Sequence, residues 1–286
     1  LVSGDIDILL QRWAARHKFR LPTKKFFSRM QDSLVKMLAS LFEAVEFIPS
    51  EELTNPAVPE CVRKLPLVTL DRVYAPSPYR IELTRTVLPD LSDGPVGARG
   101  GAANIETQLK ELKGTLGGER HIVIYDDIIF TGHLLSEACR EIEVAGFKIE
   151  HVLCGVGIGE GVRRMEKNGW TVGCKVEYTE VVDQVCERDF YPGIDYCGRT
   201  LATDHTLGFP YLFPFGNPCK WASIPESHAK RFSQFCLEQS VRLFEEIGQQ
   251  SKRIVLCSHI ERKLPDVSEN GAIFVDYLRA MERKIA

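Results

Sequence analysis

Two adjacent carboxylates, Asp126 and Asp127, mark the part of the sequence whose residue types best suit ligand chemistry. They follow the apolar run 121–125, which predicts a short buried strand, so the acids should lie where this strand ends. Carboxylates in that position can accept hydrogen bonds from hydroxyl groups, or bind a Mg²⁺ ion that bridges to phosphate oxygens. They repel a phosphate that approaches directly, because the charges have the same sign.

The residues after the acids predict a tight turn and then a helix. Thr131 and Gly132 form the turn, and 134–146 carries the apolar stripe of an amphipathic helix, made up of Leu134, Leu135, Ala138, Ile142 and Ala145. Backbone N–H groups at a helix N-terminus bind phosphate readily, and ligands of parallel α/β sheets lie beyond the carboxyl ends of the strands. The segment therefore suits a sugar phosphate, with its hydroxyls on the acids and its phosphate in the turn.

The run 122–134, IVIYDDIIFTGHL, resembles the 5-phosphoribosyl-1-pyrophosphate (PRPP) signature of type I phosphoribosyltransferases. That signature consists of four apolar residues, two acids, three variable residues, Thr-Gly and a small polar residue. The resemblance implies that Asp126 and Asp127 hold the ribose hydroxyls and contact Mg²⁺ indirectly, through Mg-PRPP. It implies that the loop binds the 5′-phosphate through Phe130, Thr131, Gly132, His133 and Leu134. The implied reaction is Mg²⁺-dependent transfer of 5-phosphoribose from PRPP to a nitrogen acceptor such as a nucleobase, with release of pyrophosphate.

Three positions depart from the signature of that family. His133 stands where a second glycine or a lysine is usual, and Leu134 replaces the closing Thr or Ser, which removes one hydroxyl contact to phosphate. Phe130 stands where purine-salvage members commonly have an aspartate that accepts a proton from the base. This last difference argues against a hypoxanthine-type site.

Two other interpretations of the acidic pair arise from the residues alone. An apolar strand that ends in Asp-Asp also occurs in Walker-B segments, but the sequence contains no Gly-Lys-Ser/Thr and a P-loop nucleotide hydrolase is disfavoured. The acids could also simply cap the following helix.

The segment 93–101 has the most flexible composition in the chain, with four glycines and the single cation Arg99. Together with a helix predicted at about 103–113, it suggests a loop that closes over a site and keeps a reactive ribosyl centre from water. The resemblance implies that Arg99, and with it Arg85, binds pyrophosphate. An ordinary surface loop is the alternative, and the pyrophosphate loop of the family is not located in the sequence.

Residues 183–230 lose regular periodicity but contain many aromatic and charged side chains. In the resemblance this region corresponds to the hood that selects the acceptor base, and CERDFYPG at 186–193 is similar to orphan phosphoribosyltransferase-like proteins of bacterial stress and defence gene clusters. Aromatic rings stack on a planar base, and fixed polar groups hydrogen-bond to its edge. The resemblance therefore implies that the acceptor base is contacted by Arg188, Asp189, Phe190 and Tyr191. The alternative is a proline-rich wrap over the sheet, with Arg188 paired to an acid.

The elements around the motif predict an α/β fold with a doubly wound parallel sheet. Strands at 149–156 and 171–178 flank a helix that begins within 157–161 and ends at 167. The resemblance specifies this as a type I phosphoribosyltransferase-like, Rossmann-like sheet. The predicted domains are an N-terminal helical subdomain, a phosphoribosyltransferase-like core, and a C-terminal hood with closing elements, at 1–58, 59–183 and 184–286. The N-terminal helices would cover a sheet edge or form a homodimer interface.

Composition excludes several classes of protein. The chain has 286 residues, 44% of them hydrophobic and 26% charged, with a net charge of −3, which is typical of globular proteins and does not favour nucleic acid or membrane partners. The sequence has no apolar run long enough to span a bilayer and no signal core at its N-terminus. Nine scattered cysteines without C-x-x-C indicate reduced thiols, so we expect a cytoplasmic protein.

Three functions are consistent with these features. The first is a phosphoribosyltransferase. The second is a non-catalytic PRPP- or nucleotide-sensing regulator, or a defence-system effector, that retains the phosphate cradle without turnover. The third is an interaction protein whose site has decayed, which would show neither binding nor turnover.

Overall fold

The computed structural model describes residues 1–54, 57–70, 73–75, 77–267 and 271–285. The α-helices within these residues are α1 Ile6–His17, α2 Lys24–Ala39, α3 Ser50–Leu53, α4 Ile105–Leu116, α5 His133–Val144, α6 Gly159–Lys167, α7 Pro218–Trp221, α8 Glu226–Ser251 and α9 Phe274–Ile285. The strands are β1 Val2–Ser3, β2 Phe47–Ile48, β3 Leu67–Thr69, β4 Tyr79–Arg80, β5 Leu83–Val87, β6 Asp93–Ala98, β7 His121–Ile129, β8 Lys148–Ile158, β9 Val172–Tyr178, β10 Val185–Cys186, β11 Arg199–Leu201 and β12 Asp204–Phe209.

The chain divides into two compact units. The central unit is continuous and spans 49–182, whereas the terminal unit combines 1–48 with 183–286. The sequence suggested three consecutive segments, with the N-terminal helices separate from the C-terminal region. In the structure the two ends of the chain belong to one unit, and their pairing is not visible in local sequence patterns.

The central unit contains a five-stranded parallel sheet in the order β4-β3-β7-β8-β9. Helices α4, α5 and α6 connect its strands, and their apolar side chains pack on the sheet in one core that includes Ile122, Ile124, Leu109, Leu135, Ile142, Val152 and Met165. The predicted α/β class is thus confirmed, with parallel strands as expected. The sequence also predicts a strand at 67–74 and, after it, a turn marked by Pro76, Pro78 and Tyr79-Arg80. Residues 71–72 and Pro76 lie outside the described residues.

Strand β7 is longer than the sequence predicted. The apolar run predicted an end at Tyr125, but β7 continues to Ile129 and pairs in parallel with β8 up to Ile129 opposite Gly157. Asp126 and Asp127 therefore lie inside the strand rather than at its end. Backbone pairing with β8 extends the strand through polar residues that composition alone would assign to a turn.

The segment predicted as a glycine-rich loop at 93–101 is mostly a strand. Residues 93–98 form β6, which pairs in antiparallel fashion with β5 and places Arg85 opposite Val96. Glycine and proline disfavour strands in isolation, but the partner strand supplies the hydrogen bonds here. The helix predicted after this segment is α4.

The terminal unit contains a three-stranded parallel sheet in the order β10-β1-β2. The sequence predicts two apolar stripes in this region, one at Ile6, Leu9, Leu10 and Trp13 and one at Phe26, Met30, Leu34, Leu38 and Phe42. The first is buried in α1. Of the second, Met30, Leu34 and Leu38 are buried in α2, whereas Phe26 is half-buried and Phe42 lies beyond the end of the helix. The sequence also predicts helices at 226–250 and 271–284, which are α8 and α9. It predicts a strand at 253–257, and this prediction was wrong, because Leu256 makes a single bridge to Ile273 before a 3₁₀ turn.

Candidate functional site

The turn between β7 and α5 has the geometry of a helix N-terminus opened by glycine. Gly132 has φ of +73° and ψ of 0°, and it immediately precedes α5. Residues with side chains rarely adopt this left-handed conformation, so glycine is needed at the turn. The first amides of α5, from His133 onward, have no acceptor within the helix, and the helix dipole favours an anion beside them. His133 is exposed and Leu134 is half-buried, so this end of α5 is open to solvent.

Helix α6 holds this turn in place through close backbone contact. A Cβ atom on Gly132 would lie 2.9 Å from the carbonyl oxygen of Gly161, and a Cβ on Gly161 would collide with the carbonyl oxygen of Phe130. The Nε of Arg164 donates a hydrogen bond of 2.7 Å to the Thr131 carbonyl. The starts of α5 and α6 are therefore packed together at the carboxyl end of the sheet, which is where ligands of parallel sheets bind.

The two acids lie on opposite faces of β7, because successive side chains of a strand alternate. Asp126 shares its face with Ile124 and lies near Cys139 of α5. Burial raises the pKa of the Cys139 thiol, and the charges of Glu143 and Asp126 raise it further. Asp127 shares its face with Tyr125, whose hydroxyl donates a hydrogen bond to the Leu53 carbonyl. Both acids are half-buried, and the Asp127 amide donates to Asp126 Oδ1 over 3.1 Å. A ligand beyond the strand end would meet the two carboxylates from different sides. We therefore expect Asp126 and Asp127 to contribute unequally to the free energy of ligand binding.

Both predicted pyrophosphate-binding arginines belong to the central unit. Arg99 follows β6 directly, and its backbone is held by hydrogen bonds from its N–H to the Glu82 carbonyl (3.0 Å) and from the Ala102 N–H to its own carbonyl (2.9 Å). Arg85 is exposed within β5. Arg99 therefore stands at a defined turn at the end of a hairpin, rather than inside an irregular loop.

A polar cavity lies next to the turn that contains Arg99. It is bounded by the edge strand β4, by the backbone of 101–103 and by α4, and the polar side chains that line it include Arg80, Glu82, Gln108, Glu111 and Thr115. The predicted site residues are not among those that line it. It is a feature that the sequence did not indicate.

The predicted acceptor contacts are corrected by the structure. Arg188, Asp189, Phe190 and Tyr191 have exposed fractions of only 8%, 5%, 0% and 0%, so they have almost no surface with which to contact a base. The guanidinium of Arg188 forms an ion pair with Asp5, and the Arg188 N–H donates to the same carboxylate over 3.1 Å. The ring of Phe190 packs edge-to-face on Phe232 at 5.0 Å. The alternative interpretation, with Arg188 paired to an acid in the interior, is the one that the structure supports.

Sequence reasoning missed a buried acidic group beside this ion pair. Glu187 and Asp5 follow the neighbouring parallel strands β10 and β1, and both are fully buried. Burial raises the pKa of Glu187 well above its ordinary value, and the nearby charge of Asp5 raises it further. The only sequence signal was the acid-rich run around 187–189, and the pairing of β1 with β10 that brings Asp5 to it spans most of the chain.

Two global features of the described residues bear on function. These residues contain no cluster of three or more His, Cys, Asp or Glu side chains that could hold a metal ion. None of the helices among them combines the length and the apolar character needed to cross a bilayer.

Comparison with known proteins gives little support for a family. No protein-family model and no curated protein matches the sequence. Among solved structures, an adenine phosphoribosyltransferase from Thermoanaerobacter pseudethanolicus is similar to 51% of this chain and 80% of its own, with 14% identity and a TM-score of 0.23. A TM-score this low does not establish a shared fold.

Proposed function

We propose that this chain binds PRPP at the turn between β7 and α5 and transfers its 5-phosphoribosyl group to a nitrogen acceptor, with release of pyrophosphate. The observation that carries the proposal is the placement of Asp126 and Asp127 in the last four residues of β7, which leads through the turn at 130–132 to the open N-terminus of α5 at the carboxyl end of a parallel sheet. A type I phosphoribosyltransferase-like arrangement of the central unit belongs to the same proposal.

Each part of the site has a distinct role in this reaction. Asp126 and Asp127 accept hydrogen bonds from the ribose hydroxyls, and the amides of 131–134 bind the 5′-phosphate. Arg99, with Arg85, neutralises the charge that develops on the departing pyrophosphate. The chain supplies mostly positioning and charge stabilisation, so no dedicated base is required. The acceptor site is unassigned, because the residues expected to form it are interior.

The donor set is compatible with Mg²⁺ only as part of the substrate complex. Among the described residues, no group of three or more His, Cys, Asp or Glu side chains includes Asp126 and Asp127. Two carboxylates suit Mg²⁺ that binds between one or two acids and substrate phosphates, with water completing its coordination. When bound, the ion offsets the charge of the pyrophosphate group. The carboxylates of Asp126 and Asp127 then hold the hydroxyls of the ribose that carries the pyrophosphate group.

A second candidate is a PRPP- or nucleotide-binding regulator, or defence effector, without turnover. Two observations favour it: Leu134 supplies no hydroxyl to the phosphate loop, and Arg188 and Tyr191 are buried rather than available to an acceptor. In this case the ligand-binding chemistry would be the same, and pyrophosphate release would be absent.

Calorimetric titration with PRPP and Mg²⁺ tests the shared part of both proposals. We expect saturable binding by the wild-type chain and its loss, by at least about tenfold, in Asp126→Asn and Asp127→Asn, since each removes a charge-assisted hydrogen bond of about 1.5–3 kcal/mol. Asp90→Asn is the matched control, because Asp90 is an exposed acid in the β5–β6 turn. Absence of wild-type binding would disprove both proposals, and screening of nucleobases for pyrophosphate release separates them.

A further inference from the structure

Two cysteines lie side by side on neighbouring strands of the central sheet. Cys154 of β8 and Cys174 of β9 are register partners, and their sulfur atoms are 3.1 Å apart. Adjacent strands are about 4.8 Å apart, which falls within the roughly 4.4–6.8 Å between Cα atoms that a disulfide accepts. Both thiols are free, so the backbone already brings them within reach of a bond.

The two thiols differ in environment, which gives them different roles. Cys154 is 2% exposed, whereas Cys174 is partly exposed. The Cys154 thiol donates a hydrogen bond to Cys174 Sγ, and this interaction, followed by burial, raises the pKa of Cys154. Cys174 is therefore the thiol that an oxidant in solution meets first.

The space around Cys174 restricts where its sulfur can go. A Cβ atom on Gly157 would collide with Cys174 Sγ, so the sulfur occupies the place where a side chain of β8 would otherwise be. This packing directs the sulfur towards β8, the strand that carries Cys154. The pair is therefore preorganised by the fold rather than assembled by chance rotation of exposed side chains.

We infer that Cys154 and Cys174 form a redox modification site, which hydrogen peroxide converts to an intramolecular disulfide. The Cys174 thiolate attacks peroxide, the O–O bond breaks, and hydroxide leaves and takes up a proton as Cys174 becomes a sulfenic acid. The Cys154 sulfur then loses its proton and attacks the Cys174 sulfur, and the S–O bond breaks to release water. Two thiols are oxidised and one peroxide is reduced to two waters.

This inference does not depend on the function proposed above, but the two cysteines lie close to the acidic pair Asp126 and Asp127. Cys154 is the register partner of Asp126 in the β7–β8 ladder. A disulfide between β8 and β9 would therefore form one strand away from the acidic pair.

The test is peptide mapping of the full chain after mild treatment with hydrogen peroxide. Remaining thiols are blocked with N-ethylmaleimide, and digests are analysed by mass spectrometry without reduction. We expect a cross-linked peptide pair that joins Cys154 to Cys174 and disappears after dithiothreitol. In Cys154→Ser, Cys174 should instead accumulate as a sulfenic acid that dimedone traps, and in Cys174→Ser the buried Cys154 should stay reduced.

Other cysteines of the chain provide internal controls. Cys61 is exposed and reports that the oxidant was active, whereas Cys236 is fully buried and should remain reduced. Oxidation of Cys61 without any Cys154–Cys174 cross-link would overturn the inference. Equal rates of Cys154 oxidation in the wild type and in Cys174→Ser would overturn it as well, because Cys174 would then have no part in the reaction.

Discussion

At the scale of single residues, a buried ion pair joins Arg188 and Asp5. The side chains are 9% and 0% exposed, so removal of one partner leaves a buried charge that has lost its opposite charge. We expect Arg188→Met to lower the free energy of unfolding by about 3–5 kcal/mol. The matched control is Arg279→Met, which breaks an exposed pair with Glu245 and should cost no more than about 1 kcal/mol. Urea denaturation of both variants measures the difference, and equal losses would contradict the prediction.

The buried carboxyl group of Glu187 predicts an unusual dependence of stability on pH. Its pKa is raised in the folded state by burial and by Asp5, while in the unfolded chain it titrates near about 4.3. Below that value both states are protonated and the group has no effect. As the pH rises through the window up to the folded pKa, only the unfolded state releases its proton, so the free energy of unfolding falls.

Glu187→Gln should therefore be more stable than the wild type at pH 8 and equal to it at pH 4. Thermal unfolding at several pH values between these limits checks the prediction. A difference between the two proteins that does not change with pH would show that Glu187 is not neutral in the folded state.

Residue types alone predicted the local order of strand, turn and helix around the candidate site. They were less able to predict which side chains are free to contact a ligand. The acids and the glycine turn are close in sequence, but Asp126 and Asp127 lie within β7 rather than after its end, where the sequence placed them. Phe190 and Tyr191 illustrate the limit. An aromatic ring can stack on a ligand or fill a core, and the choice depends on packing partners such as Phe232, which are distant in sequence.

At the scale of elements, the packing of the first turns of α5 and α6 determines the geometry of the proposed phosphate loop. Gly132→Ala would place a Cβ at a φ of +73° and 2.9 Å from the Gly161 carbonyl oxygen. The backbone strain alone costs about 1–2 kcal/mol, and the contact adds to it. Gly169→Ala is the control, since Gly169 also has a positive φ of +99° but has open space around it. Chemical denaturation should show a larger loss for Gly132→Ala, and a larger loss for Gly169→Ala would be contrary to expectation.

The longer helices were predicted well, because each of them buries a periodic apolar stripe that is visible in its own sequence, as in α1, α5 and α8. The strands whose extent depends on a partner were predicted poorly. β6 contains Gly94 and Pro95 and owes its conformation to pairing with β5, and β7 extends through Asp126 because β8 continues beside it. The sequence of one strand does not encode such pairings.

At the scale of the whole molecule, the parallel sheet of the terminal unit brings together strands from distant parts of the sequence. β1 is the middle strand of the terminal sheet, and the Val2 N–H donates to the Glu46 carbonyl over 2.9 Å. Val2→Pro removes this donor from a central strand, which proline does not tolerate. We expect faster hydrogen exchange at β2 and β10, the two strands that pair with β1. Unchanged exchange at both strands would contradict the prediction.

The discontinuous terminal unit has a consequence for synthesis on the ribosome. The Val185 N–H donates a hydrogen bond to the Leu1 carbonyl over 3.1 Å, and β1 pairs with β10 beside it, although the two strands are far apart in sequence. The strand and the two amphipathic helices at the N-terminus are therefore translated long before their partners exist, whereas the central unit can complete its own contacts as it emerges. Until residue 183 has left the exit tunnel, the apolar faces of α1 and α2 lack most of their native cover, and nascent chains stalled before that point should be the form of this protein that chaperones bind.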